Sequence, residues 1–136
     1  MGTVNTYTHE AKALIKQANQ YDAMIEIYSI LDQMKTYIFN QDNKYSLINQ
    51  AKIGEINALQ AMLVPTAIPT TPRERLLKVK AHGVSEDCVK TLTSAANDPW
   101  WIFLKRFFSA LTGWQSKEEK IPVYLFNPIF PNFFPD

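Results

Sequence analysis

Apolar residues recur at intervals of three and four along the first forty positions, and neither glycine nor proline interrupts residues 8–53. This spacing is typical of a helix with one buried apolar face, and Thr8 is placed to cap its first turn. A helix of about thirty residues is about 45 Å long, so it must pair with a second long helix or pack against another chain. The predicted buried face comprises Ala11, Leu14, Ala18, Tyr21, Ile25, Tyr28, Leu31, Met34 and Ile38.

The polar stretch NQDNK at 40–44 is rich in residues that prefer turns, and it separates this helix from a second one. The second helix is predicted from Tyr45 to Leu63, where Gly54 weakens it without breaking it. Two helices joined by a short turn form an antiparallel hairpin, which is predicted for residues 1–64. The apolar side of the second helix comprises Ile48, Ile56, Leu59 and Leu63.

Prolines at 65, 69 and 72 predict an extended connector over residues 65–72. Short helices then follow within 73–136, in the segments PRERLLKVKAH, EDCVKTLTSAA and PWWIFLKRFFSALT. Thr71, Ser85 and Asp98 are placed as caps before these helices, and glycines at 83 and 113 end two of them. Since no segment reads as a paired strand, the predicted fold is all-α, with both halves in one cooperative domain.

The chain ends in IPVYLFNPIFPNFFPD at 121–136, where the prolines exclude a helix and predict an extended, apolar tail about 50 Å long. Burial of each phenylalanine would stabilise the tail's docked position by roughly 2 kcal/mol. The preferred interpretation is that the tail wraps over its own helices. The alternative is that it docks into another chain.

Aromatic residues are concentrated near the C-terminus, since all three tryptophans and seven of the eight phenylalanines follow Asp98. Such side chains are frequent anchors at protein interfaces. The helix at 100–108 is apolar on most sides, which favours burial over a position at a membrane surface. The candidate partner-binding residues are Trp100, Phe103, Phe107, Trp114, Phe126, Phe130, Phe133 and Phe134.

Residues that could carry chemistry are sparse. The single cysteine, Cys88, excludes an intrachain disulfide and a cysteine-rich zinc site, and His9 and His82 do not stand at metal-ligand spacing. Cys88 lies six residues after His82, and a small buried side chain is the preferred interpretation over a nucleophile. Phosphate loops, dinucleotide-binding glycine patterns and nucleophile elbows do not occur. The sequence therefore predicts no catalytic residue, no cofactor and no metal.

Charge gives little support for nucleic acid or anionic lipid as a partner, because the net charge is +1. A local basic cluster comprises Arg73, Arg75, Lys78 and Lys80. It stands in a helix–turn–helix rhythm, but Glu86 and Asp87 oppose phosphate, so a solvated helix face is the preferred interpretation. No stretch is long and apolar enough to span a bilayer.

The segment DPWWIFLKRFFSALTGWQSKEEK at 98–120, less than a fifth of the chain, resembles tail-proximal helical segments of effector proteins from Legionella-type intracellular bacteria. Small proteins of that repertoire bind and restrain other effectors, including ubiquitin-modifying ones. The predicted location is the cytoplasm, or a host cell into which the protein is translocated, as the resemblance implies. The resemblance transfers no site residue.

The predicted function is non-catalytic protein binding, with regulation or inhibition of a partner effector enzyme as its expected purpose. The warrant is the shortage of catalytic residues together with a surplus of apolar and aromatic anchors. Pairing with a second copy through the long helix is a further expectation, since a closed homodimer is the commonest oligomer. A helical adaptor for membrane surfaces or nucleic acid is the alternative.

Overall fold

The computed structural model describes residues 9–64, 67–68 and 70–118, which form five α-helices and one short 3₁₀ helix. The described residues contain no strand, which confirms the all-α prediction. Among these helices, none combines the length and the apolar character that crossing a membrane requires. The helices are α1 (His9–Phe39), α2 (Leu47–Leu63), α3 (Pro72–Gly83), α4 (Glu86–Leu92) and α5 (Trp100–Gly113), followed by the 3₁₀ turn Gln115–Lys117.

The first two helices form the predicted antiparallel hairpin. Lys35 donates a 3.2 Å hydrogen bond to Asn57, and the Gln60 side chain donates one of 3.4 Å to the backbone carbonyl of Tyr28. Residue numbers therefore increase along α2 as they decrease along the facing part of α1, so the two helices are antiparallel. The second helix begins two residues later than predicted, because the Ser46 side chain accepts the Asn49 backbone N–H and caps the helix there.

Helix α5 also runs antiparallel to α1. The rings of Trp100 and Tyr37 lie 5.9 Å apart. Six residues further along α5, Arg106 donates a 2.9 Å hydrogen bond to Gln33, which lies four residues before Tyr37 on α1. Helix α1 is consequently the central element of the fold, with contacts to α2, α3 and α5.

Within the described residues, one hydrophobic cluster takes side chains from all five helices and so joins the two halves of the chain. At the end of α3, a Cβ on Gly83 would lie only 2.6 Å from Cδ1 of Leu111, so the absence of a side chain lets this turn pack directly on α5. The large side chains within this core that lose nearly all exposure include Ile27, Ile30, Leu31, Met34, Ile38, Ile56, Leu59, Leu76, Leu92, Trp100, Leu104 and Phe107.

Glu118 fastens the last described turn to the start of the fold. Its carboxylate is nearly buried and pairs with Arg73 and with Lys16, the latter at 3.5 Å. Its backbone carbonyl accepts a 2.8 Å hydrogen bond from the side chain of Asn19. Because these partners lie on α1 and α3, the described chain ends beside the N-terminal half of α1.

The prediction of the buried face of α1 is wrong in the first half of that helix. Leu31, Met34 and Ile38 are buried as predicted, but a different face is covered before them. The sequence supplies two apolar faces there, and α2, α3 and α5 cover the second one. The buried residues of this half are Ile15, Gln20, Ala23, Met24, Ile27 and Ile30, whereas Leu14, Tyr21, Ile25 and Tyr28 are exposed. In α2, Ile48 is likewise exposed, while Ile56, Leu59 and Leu63 are buried as predicted.

Thr71 and Ser85 are confirmed as caps, whereas the predicted cap Thr8 lies outside the described residues. The side chains of Thr71 and Ser85 each accept a backbone N–H three residues ahead, at 3.1 and 3.3 Å. The carboxylate of Asp98 accepts the Trp100 N–H at 3.0 Å, although Pro99 precedes the helix. Helix α4 is shorter than predicted, since Thr93 is already extended.

The tail at 121–136 and part of the connector lie outside the described residues.

Candidate functional site

The exposed apolar face of α1 is the largest departure from the sequence prediction. We name it the α1 stripe and define it as Leu14, Tyr21, Ile25 and Tyr28, which are 62%, 47%, 68% and 40% exposed. Together with the half-buried Ala18, these residues keep the alternating three- and four-residue spacing of the a and d positions in a coiled coil. In a coiled coil, two helices pack along their length through residues with this spacing.

A groove follows the C-terminal part of the α1 stripe, where α1 passes the end of α2. It has a volume of about 460 Å³ and an apolar wall formed by Tyr21, Met24, Tyr28, Leu63 and Val64. Met24 and Leu63 are buried at its floor, while Val64 is 44% exposed at its edge. The stripe is therefore the rim of a concave apolar surface, and such surfaces hold amphipathic helices.

Three carboxylates border the α1 stripe, and we name them the acidic rim: Asp22, Glu26 and Asp32. Asp22 and Glu26 directly follow Tyr21 and Ile25, while Asp32 lies one turn beyond Tyr28 on the same face. In the described part of the chain none of the three has an ion-pair partner. Partial burial raises the pKa of the Asp22 carboxyl.

The structure places the predicted aromatic anchors in two groups. Trp100, Phe107 and Trp114 are 1%, 0% and 4% exposed and belong to the core, and the half-buried Phe103 packs on Tyr37 at 5.6 Å. Three of these side chains are therefore already covered by the protein's own helices. Whether they also contact a partner is not tested by these contacts and stays a prediction. The other four candidates, Phe126, Phe130, Phe133 and Phe134, lie outside the described residues.

The basic cluster of α3 is largely engaged within the protein. Arg73 pairs with the nearly buried carboxylate of Glu118. The Arg75 side chain donates to Thr70 at 2.6 Å, and Lys80 donates to the side chain of Gln115 at 2.5 Å. Of the four, only Lys78 makes no hydrogen bond or ion pair within the described residues. The preferred interpretation from the sequence is a solvated helix face, but three of the four cations are engaged within the protein, which also leaves them less available to phosphate.

A polar cavity of about 310 Å³ lies where the α1–α2 turn meets the start of α5. Lys52 is only 6% exposed there, and its ammonium lies 4.8 Å from the centre of the Trp100 ring. Burial lowers the pKa of Lys52, and the negative charge of Asp98 opposes that shift. Asp98 in turn accepts hydrogen bonds of 3.0 Å from Tyr37 and from Ser94. These contacts hold the N-terminus of α5 in place, so the polar residues that line the cavity have a structural role.

A third cluster joins α2, α3 and α4. Nε2 of His82 lies 2.8 Å from Oε2 of Glu55, and Sγ of Cys88 completes a group whose three nearest donor atoms lie within 4.8 Å of one another. Burial, and secondly the charge of Glu55, raises the pKa of Cys88 to about 11, so its thiol is protonated at neutral pH and is a poor nucleophile. Sequence spacing paired His82 only with Cys88 and missed Glu55, because Glu55 stands on another helix.

Comparison with family models, curated proteins and solved structures finds no match to this chain.

Proposed function

We propose that the protein is a non-catalytic binding module that holds an amphipathic helix of a partner protein along the α1 stripe. The observation that carries this proposal is the stripe itself, an apolar seam with coiled-coil spacing on the outside of the fold. A long exposed seam of this kind is uncommon on a protein that acts alone, since contiguous apolar surface marks interaction sites.

The contact has enough apolar area to support specific binding. Leu14, Tyr21 and Ile25 each expose about half of the side chain or more. Full burial of one such side chain contributes about 2 kcal/mol, and ordering and desolvation offset part of the sum. A micromolar complex requires about 8 kcal/mol, so burial of the partner helix's own apolar side chains in the groove must supply a large part of the binding free energy.

The acidic rim defines the chemistry of the partner. A helix that buries its apolar side against Tyr21 and Ile25 brings its flanking residues beside Asp22 and Glu26. Lysine or arginine at those flanks would gain ion pairs and speed encounter. The same carboxylates repel phosphate and anionic lipid headgroups, which disfavours the alternative of a nucleic-acid or membrane adaptor.

Regulation of a partner enzyme is the purpose that we attach to this module. A helix held along the α1 stripe is covered over several turns, so it is withheld from its own protein's contacts. Restraint of an effector enzyme, which the resemblance of 98–120 implies, is one form of that action.

A labelled helical peptide tests the proposal directly. The probe has leucine at its a and d positions and lysine at its flanking positions, and fluorescence anisotropy measures its binding to the full-length protein. We expect Ile25→Glu to weaken binding by about 30-fold or more, because burial of isoleucine contributes about 2 kcal/mol and each 1.4 kcal/mol is tenfold. Ile102→Glu is the matched control, since Ile102 is 63% exposed on α5 and Ile25 is 68% exposed on α1.

Other outcomes are equally informative. Equal loss of binding in both glutamate variants, or equal affinity for a probe with glutamate flanks, would contradict the proposed surface or its charge preference. A doubled mass in sedimentation that Ile25→Glu abolishes would make a second copy of this chain the occupant. If Ile25→Glu instead lowers the melting temperature of the free protein and the probe does not bind, the chain's own segment 121–136 becomes the occupant, and the proposal fails.

A further inference from the structure

Helices α2, α3 and α4 place a carboxylate, an imidazole and a thiol around one point. We infer that Glu55, His82 and Cys88 bind one divalent transition-metal ion, and that Zn²⁺ suits the donors best. This inference does not depend on the α1 stripe, which shares no residue with the cluster.

The spacing of the donor atoms is close to what a metal ion requires. Zinc lies about 2.0–2.3 Å from nitrogen, oxygen and sulfur ligands, so tetrahedral donors stand roughly 3.3–3.8 Å apart. The donor atoms of the cluster range from the 2.8 Å contact between His82 and Glu55 up to 4.8 Å. Movements of about 1 Å in the half-buried side chains of His82 and Glu55 would therefore complete the geometry.

The turn between α3 and α4 fixes two of the donors relative to each other. The Ser85 side chain donates a 2.8 Å hydrogen bond to the carbonyl of His82 and accepts the N–H of Cys88 at 3.3 Å. Gly83, inside the same turn, lies against Leu111 and anchors the turn on α5. One serine thus connects the backbones of both ligands, and the core holds the turn that carries them.

The choice of metal follows from donor type and access. A thiolate with an imidazole suits zinc and similar ions, whereas magnesium and calcium prefer oxygen ligands alone. Cys88 is 1% exposed, while the side chains of His82 and Glu55 are 35% and 28% exposed. An ion can therefore enter from the solvent side and displace the thiol proton on binding, with water completing the fourth position.

Cobalt titration of the full-length protein tests this site. Because Cys88 is the chain's single cysteine, a sulfur-to-cobalt charge-transfer band in the near ultraviolet can arise from that residue alone. We expect the band to saturate at one Co²⁺ per chain and to disappear when Zn²⁺ is added. We also expect Zn²⁺ to raise the melting temperature, since an ion that binds the folded state stabilises it.

Variants assign the ligands. His82→Gln and Glu55→Gln should each weaken Co²⁺ binding by about 100-fold or more, because each removes a direct ligand. His9→Gln is the matched control, since His9 is exposed at the start of α1, and it should bind as the native chain does. Circular dichroism establishes that each variant is folded. Absence of the charge-transfer band, or an unchanged band in folded His82→Gln, would overturn the inference.

Discussion

Trp100→Ala should lower the free energy of unfolding by about 3–5 kcal/mol, the cost of removing a large aromatic side chain from a packed core. Trp100 is 1% exposed, and its indole N–H donates a 2.6 Å hydrogen bond to the carbonyl of Leu92. The substitution therefore opens a cavity and leaves a buried carbonyl without its donor. For a domain whose whole stability is about 5–15 kcal/mol, this loss should strongly reduce the melting temperature.

Urea denaturation followed by circular dichroism measures the effect. The control is Ile102→Ala, because Ile102 lies two residues along the same helix but is 63% exposed. Its effect should stay near 0.5 kcal/mol, as for most surface substitutions. Similar losses in the two variants would show that the described face of α5 is not the buried one.

Asp98→Asn should lower the free energy of unfolding by about 2–4 kcal/mol at pH 7. The native carboxylate accepts hydrogen bonds from the Trp100 backbone and from the Tyr37 and Ser94 side chains, each at 3.0 Å. Hydrogen bonds to a charged group are worth about 1.5–3 kcal/mol each and do not simply add. The amide also removes the negative charge near the buried ammonium of Lys52.

The pH dependence of this difference has a definite sign. The Trp100 backbone hydrogen bond, followed by the bonds from Ser94 and Tyr37 and by the charge of Lys52, lowers the pKa of Asp98, and burial only partly opposes this. An aspartate whose folded pKa lies below the unfolded value of about 3.9 stabilises the fold above that pH, and this stability is lost as pH falls through the folded pKa.

Thermal melts of both proteins between pH 7 and pH 2.5 give the check. The difference between native protein and Asp98→Asn should be constant down to about pH 5 and should shrink below about pH 4. Asp42→Asn, in the exposed turn after α1, should follow the native protein throughout. A difference that keeps its full size at pH 2.5 would mean that the charge of Asp98 does not stabilise the fold.

Much of the helical framework follows from local sequence. Thr71 and Ser85 accept backbone N–H groups only three residues ahead, so the signal that starts each helix is contained in one turn. The polar stretch at 40–44 likewise favours a turn through its own residues. Such contacts form in almost any tertiary setting, which is why helix number, order and most helix boundaries could be predicted.

The candidate surfaces could be predicted only in part. The residues of the α1 stripe were singled out by their coiled-coil spacing, but the prediction buried them inside the protein. The helix carries a second apolar face on its other side, around Ala23 and Ile27. The hydrophobicity of the two faces does not by itself determine which one is buried. The proximity of Glu55 to His82 and Cys88 could not be predicted, because residues that meet from separate helices have no fixed spacing in the sequence.

The sequence by itself determined that this protein is helical, that its first two helices pair antiparallel, and where caps and glycines begin and end its helices, because those preferences act within a few residues. The tertiary structure alone decided which face of α1 is covered, that Lys52 is buried beside Trp100, and that Glu55 meets His82 and Cys88. These outcomes depend on how α2, α3 and α5 share one limited core, and burial there is a property of the whole packing rather than of any local segment.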